Sequence, residues 1–116
     1  MSEAAGKAEF YVGVDVGGTK IYAGVFDHAL ELVGTSRLST KPQRGPQAVI
    51  ERIARCVEDA VDECDLSLKQ VKGVGVGAPG AVDPEAGTVI FAPNLDWKDV
   101  PLRKALEKEL DAPVRV

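Results

Sequence analysis

Histidine and cysteine are nearly missing from this chain of 116 residues, which has one histidine, His28, and two cysteines, Cys56 and Cys64. That leaves too few ligands for a metal site built from those residue types. The cysteines lie eight apart in a segment whose spacing predicts one helix; at 1.5 Å per residue they would sit about 12 Å apart. A disulfide cannot span that distance, so both are expected to be small apolar helix residues in a reducing compartment. Positive charge is also sparse: 14 Lys+Arg against 18 Asp+Glu give a net charge of −4, and no basic cluster is longer than a scattered pair. Nucleic acid and anionic membranes are therefore not expected partners. No apolar run approaches the roughly 18 residues that a bilayer span needs. The N-terminal MSEAAGKAE is polar, with no signal peptide, so the expected location is the cytoplasm. The length suits one domain with a real core, but it is short for an enzyme that must enclose two substrates.

What the chain does contain is a run of strands followed by alternating helices and strands. Phe10 to Val16 and Lys20 to Phe26 are rich in Val, Ile, Tyr and Phe, and the Gly-containing turn between them predicts an antiparallel pair. After Asp27-His28-Ala29 a third strand is expected over Leu32 to Ser39, and the prolines and glycine of Lys41 to Pro46 mark a loop. From Gln47, apolar Val49, Ile50, Ile53, Val57, Ala60, Val61 and Cys64 recur at three and four with charges between them, which predicts an amphipathic helix of about five turns. Val71 to Ala78 reads as a buried strand. Short segments at Ala81-Val82 and Thr88 to Ile90 flank an Asp83 to Gly87 turn. A second helix is expected from an Asp99 N-cap with Pro101 in its first turn, running through Leu110. Asp111-Ala112-Pro113 breaks it, and one more strand begins at Val114. The order βββαβαβ implies an α/β fold with a mixed sheet and helices packed on it.

The chemistry gathers where the first two strands meet, at Asp15-Val16-Gly17-Gly18-Thr19-Lys20. Backbone N–H groups around side-chain-free residues can cradle phosphate oxygens, and Thr19 adds a hydroxyl. A carboxylate beside polyphosphate makes electrostatic sense with a cation between them. Asp15 is thus a candidate partner of Mg²⁺ or of its bound water, and Lys20 a candidate source of positive charge. By strand alternation Asp15 is expected to face inward beside Val14 and Val16. A plain hairpin turn, with Asp15 capping the bend, stays open as the alternative. Walker A is excluded, because here Thr19 precedes Lys20 and a strand follows. Gly75-Val76-Gly77-Ala78-Pro79-Gly80 matches a dinucleotide fingerprint in letters only, since Pro79-Gly80 leads into a loop and hairpin and not a helix.

Three stretches together carry a resemblance: Asp15 to Lys20, Gly73 to Asp83, and Ala92-Pro93-Asn94-Leu95-Asp96-Trp97 with Val100-Pro101-Leu102. In this order and spacing they resemble the N-terminal lobe of the ROK family, and within it the bacterial glucokinase-like sugar kinases, over nearly all of Phe10 to Val116. The resemblance implies an actin-like, ribonuclease-H-like ATPase lobe, one half of a two-lobed kinase that closes on a sugar and Mg-ATP. It places Asp15, Gly17, Gly18, Thr19 and Lys20 at the ATP phosphates, with Asp15 toward Mg²⁺, and Pro79, Gly80 and Asn94 in the sugar pocket. Asn94 offers a donor and an acceptor to vicinal hydroxyls, and Gly80 lets backbone approach them. Trp97 is expected to anchor that loop by packing, not to stack on sugar.

The resemblance also implies that residues 1–9 form a disordered extension and residues 10–116 the lobe. The catalytic aspartate, in an Asn-Asp pair after the strand that begins at Val114, would then lie beyond Val116, with the zinc cluster and the C-terminal, adenine-binding lobe. Asp83, Asp96 and Asp99 are expected in turns or at a helix cap, not as the base. The chain alone would then bind Mg-ATP weakly and phosphorylate nothing. Glucose is the expected hexose, with mannose, fructose, allose and N-acetylated amino sugars as family alternatives. Three other readings remain: a ROK-type repressor, for which only nine residues precede the first strand; an actin-like assembly module whose edge at Val114 to Val116 pairs two copies; and a small domain whose turn merely resembles the family's.

Overall fold

The computed structural model describes residues 9–116, so the expected disordered extension lies outside the described residues except for Glu9. Strands β1 (Phe10–Val16), β2 (Lys20–Phe26) and β3 (Leu32–Ser39) form an antiparallel meander. Helix α1 (Pro46–Glu63) follows, then β4 (Val71–Gly77), which returns parallel to β1. Helix α2 (Leu102–Leu110) and the short β8 (Val114–Arg115) complete a five-stranded mixed sheet in the order β3-β2-β1-β4-β8. In chain order the elements of this layer run βββαβαβ, as the sequence predicts.

Strict alternation explains the layer. Val12, Val14 and Val16 of β1 and Ile21, Ala23 and Val25 of β2 are all buried, and they are β-branched or small, which suits a pleated, covered face. The helix covering them buries Val49, Ile50, Ile53, Ala54, Cys56, Val57, Ala60 and Val61. Gly45 occupies its N-cap and Pro46 its first turn, where a missing N–H costs nothing. Cys56 lies within α1 and Cys64 caps its C-terminal end; both are free thiols. Helix α2 packs against α1 and β8, so both helices sit on the same face of the sheet. The opposite face carries Tyr11 and Tyr22, both exposed, beside a trough of about 400 Å³ lined by Gly13, Asp15, Gly24, Phe26, Thr35 and Gly75 among others.

Between β4 and α2 the chain builds a second sheet of β5 (Ala81–Asp83), β6 (Thr88–Ala92) and β7 (Trp97–Val100), all antiparallel. The hairpin of β5 and β6 matches the expectation, but β7 does not. Asp99, expected to cap α2, lies inside β7 in a left-handed conformation with φ 53°, and Pro101 holds the cap position. Tertiary burial decides this. Val100 pairs with Val89, and the kink at Asp99 lets Trp97 and Val100, three residues apart, both reach the core. Asp111, also left-handed, ends α2 at the predicted break.

Candidate functional site

The carboxyl ends of the parallel strands β1 and β4 lie side by side, with Asp15 level with Gly77. Ligands of open α/β sheets commonly bind at such an edge. Asp15 does not face inward: it is exposed and points away from the buried Val14 and Val16. The correction is geometric, because a period of two places Asp15 on the opposite face to both neighbours. An outward carboxylate at a strand end keeps its hydration and stays accessible to a cation.

The turn that follows is tightly held. The Gly17 N–H donates to the Lys20 carbonyl at 2.9 Å, closing the turn. From the end of β3, Thr40 reaches across: its hydroxyl donates to the Gly17 carbonyl at 2.8 Å, and its N–H donates to the Thr19 carbonyl at 2.8 Å. Thr19 and Lys20 keep exposed side chains.

The second loop reaches the same place from the small sheet. Residues Pro93–Leu95 form a single 3-10 turn closed by left-handed Asp96. Leu95 and Trp97 are each 1% exposed and Ala92 is fully buried, so they anchor the segment while Asn94, between Ala92 and Leu95, stays exposed. The packing role expected for Trp97 thus holds. Its indole N–H is buried with no partner among the described residues. Asn94 lies directly over the turn, and a Cβ added at Gly18 would come within 3.2 Å of the Asn94 Cβ. Gly80, with φ 85°, packs so closely on the end of β6 that a Cβ there would run into the Phe91 carbonyl. The fold therefore brings Gly18 and Asn94 into contact and seats the Pro79-Gly80 loop against the strand that leads to Asn94.

The other carboxylates do different work. Asp83 accepts backbone N–H bonds from Glu85 and Ala86, capping its turn as expected. Among the described residues no group of three or more His, Cys, Asp or Glu could hold a metal ion. A lone strand-end carboxylate suits Mg²⁺, which keeps most of its waters and takes one or two carboxylates with phosphate oxygens. Burial pushes the Cys56 thiol pKa up, with Asp59 adding to the shift and a Ser36 hydrogen bond opposing it. Burial also raises Cys64, helped by Glu63 and Asp65. Neither thiol is an activated nucleophile. Sequence reading missed Thr40 altogether. Thr40 falls between the strand expected to end at Ser39 and the loop expected from Lys41, and only the folded chain shows that it is fully buried. Among the described residues no helix is long and apolar enough to cross a membrane.

A family model described as ROK family matches residues 11–116. A glucokinase of Streptomyces coelicolor is 39% identical over 105 residues, 90% of this chain and 31% of that protein. The crystal structure of a ROK family glucokinase from Streptomyces griseus, in complex with glucose and AMPPNP, superposes with a TM-score of 0.79 at 37% identity, covering 92% of this chain and 32% of that one. A xylose repressor of Caldicellulosiruptor bescii is 28% identical over 105 residues, 90% of this chain and 26% of its own. The chain thus spans about a third of the length of the glucokinases it matches.

Proposed function

Because this chain belongs to the ROK family and has the actin-like ATPase fold of the ROK sugar kinases, we propose that it is the lobe of an ATP-dependent hexose kinase that meets the ATP phosphates and one side of the sugar. The observation that carries this reading is the contact between Gly18 and Asn94. One motif is suited to phosphate and the other to sugar hydroxyls, and phosphoryl transfer needs those two ligands side by side.

In this reading Gly17 closes the turn through its own N–H, the backbone N–H groups of Gly18 and Thr19 and the Thr19 hydroxyl cradle phosphate oxygens, and Lys20 adds positive charge. Asp15 would hold Mg²⁺ or one of its waters, and the ion would neutralise charge building up on the transferred phosphoryl group. Asn94 orients the sugar through its amide, and the Pro79-Gly80 loop presents backbone to hydroxyls. Glucose is the favoured hexose, supported by the glucokinases among the relatives and the glucose complex of the Streptomyces griseus enzyme. As the family resemblance implies, the base that takes the sugar proton would come from outside residues 10–116; Asp83 is committed to its turn, Asp96 closes the 3-10 turn at Asn94, and Asp99 lies within β7. The cytoplasm fits the reading.

The test is a titration of the ¹⁵N-labelled chain with Mg-ATP and then glucose. Shifts at Gly17, Gly18, Thr19 and Lys20 with nucleotide, and at Gly80 and Asn94 with glucose, are expected, with no sugar-dependent ADP release. Shifts scattered elsewhere would overturn the site, and robust turnover by this chain would overturn the external base. A second reading, the sugar-sensing lobe of a ROK regulator, is favoured by the xylose repressor among the relatives. It predicts the glucose shifts without the nucleotide shifts.

A further inference from the structure

We infer that Thr40 is the positioning residue of this site: its buried hydroxyl sets the direction in which the Gly17-Gly18 peptide presents its N–H. The inference rests on the reading that this turn meets phosphates. A turn with two adjacent glycines has wide conformational freedom and does not aim its own amides. Something outside the turn must do so.

Thr40 is the one buried polar residue among those described, at 0% exposure. It takes two carbonyls of the turn at once, Gly17 through Oγ1 and Thr19 through its backbone N–H, both at 2.8 Å. No peptide bond among the described residues is cis. In a trans peptide the C=O and the following N–H point in opposite directions. Drawing the Gly17 carbonyl in toward Thr40 therefore turns the Gly18 N–H away from Thr40. Thr40 is fully buried and the Gly17 carbonyl half-buried, so losing the hydroxyl removes the fixed donor that holds this carbonyl in one direction.

Thr40 is itself braced from behind. The Arg52 guanidinium of α1 donates to the Ser39 carbonyl at 2.6 Å, while the N–H of the same peptide, that of Thr40, bonds Thr19. One peptide is thus pinned at both ends between the helix and the turn. The path from α1 through Arg52, Ser39 and Thr40 to Gly17 joins the core helix to the glycine turn of the site.

The experiment compares Thr40→Val, which keeps the branched shape and loses the donor, with Thr40→Ser, which keeps the donor. Both are read by Gly18 amide shift and hydrogen exchange and by Mg-ATP titration. Thr40→Val is expected to move the Gly18 amide, speed its exchange and weaken Mg-ATP about tenfold, while Thr40→Ser restores all three. The backbone bond from residue 40 to Thr19 survives in both, so the turn stays closed. An unchanged Gly18 amide in Thr40→Val, or the same effects in Thr40→Ser, would overturn the inference. If the unsubstituted chain shows no Mg-ATP shifts, the phosphate reading fails on its own, and the Gly18 amide still decides the role of Thr40. If Thr40→Val does not fold, Arg52→Gln is expected to loosen the same amide in smaller measure; no change there overturns the inference.

Discussion

Gly80 and Gly73 show how far two glycines of one motif can differ. Gly80 has φ 85° and backbone against its vacant Cβ position, whereas Gly73 has nothing within 4 Å of its own. Gly80→Ala is expected to lose at least ~2 kcal/mol in chemical denaturation, combining a disfavoured φ with a clash against backbone that cannot move aside. Gly73→Ala is expected to change stability by less than ~1 kcal/mol. Equal losses would mean that the Pro79-Gly80 loop is not seated as described. The thiols give a pH prediction. Cys56 and Cys64 both have pKa values raised in the folded chain, chiefly by burial. A group raised on folding contributes stability that is complete below its unfolded pKa, near about 8.5 for cysteine. That contribution is lost as pH rises through the folded value. Stability is therefore expected to decline above about pH 8.5, with a shallower decline in Cys56→Ala. A decline of unchanged slope in that variant would assign the effect to other groups.

Among the elements, α1 has two duties on adjacent residues. Ile53 is fully buried against the sheet, while Arg52 holds the Ser39 carbonyl. Ile53→Ala is expected to cost about 2–5 kcal/mol through lost burial and the cavity left behind, with little change in the Gly18 amide. Arg52→Gln is expected to reverse that pattern. Strand β7 is the element that sequence reasoning missed, and its pairing with β6 sets Trp97 opposite Ala92 across the turn that holds Asn94. Trp97 is the single tryptophan, buried on this strand. Its fluorescence is expected to lie to the blue of the free amino acid and to shift red when the small sheet unfolds. Red emission from the native chain would contradict β7. The element was hard to see because Trp97-Lys98-Asp99-Val100 has no period-two pattern. Its buried residues are three apart, a spacing that reads as the approach to a helix.

At the scale of the whole molecule the unusual feature is a sheet covered on one face. Strands β1, β4 and β8 run parallel, and sheets built of parallel strands are usually packed on both sides, whereas antiparallel strands such as β2 and β3 can leave one face open. Here α1 and α2 share one face, leaving Tyr11, Tyr22 and Leu32 exposed on or beside the other. The isolated chain is therefore expected to bind an environment-sensitive apolar dye, and Tyr22→Lys with Leu32→Lys is expected to reduce the signal severalfold at unchanged far-UV circular dichroism. Undiminished dye binding would place the exposed apolar surface elsewhere, with Ile90 and Phe91 of β6 the next candidates.

Much of this protein was legible in the order of its residues. Period-two alternation in β1 and β2, period-three-and-four recurrence in α1, and the breaks at Pro42 and Pro113 determine which segments are strands, helices and loops, because these are local properties of backbone and side-chain geometry. The residue types at Asp15 to Lys20, Pro79-Gly80 and Asn94 are likewise local, and the proposed site is read from them. What the sequence could not decide is which distant residues meet. The contact of Asn94 with Gly18 and the burial of Thr40 under the turn both join segments far apart in the chain. So does the pairing of Val100 with Val89 that makes β7 a strand and displaces Asp99 from the helix cap. Each follows from long-range burial, which outweighs a local preference for a loop or a cap once the core has formed.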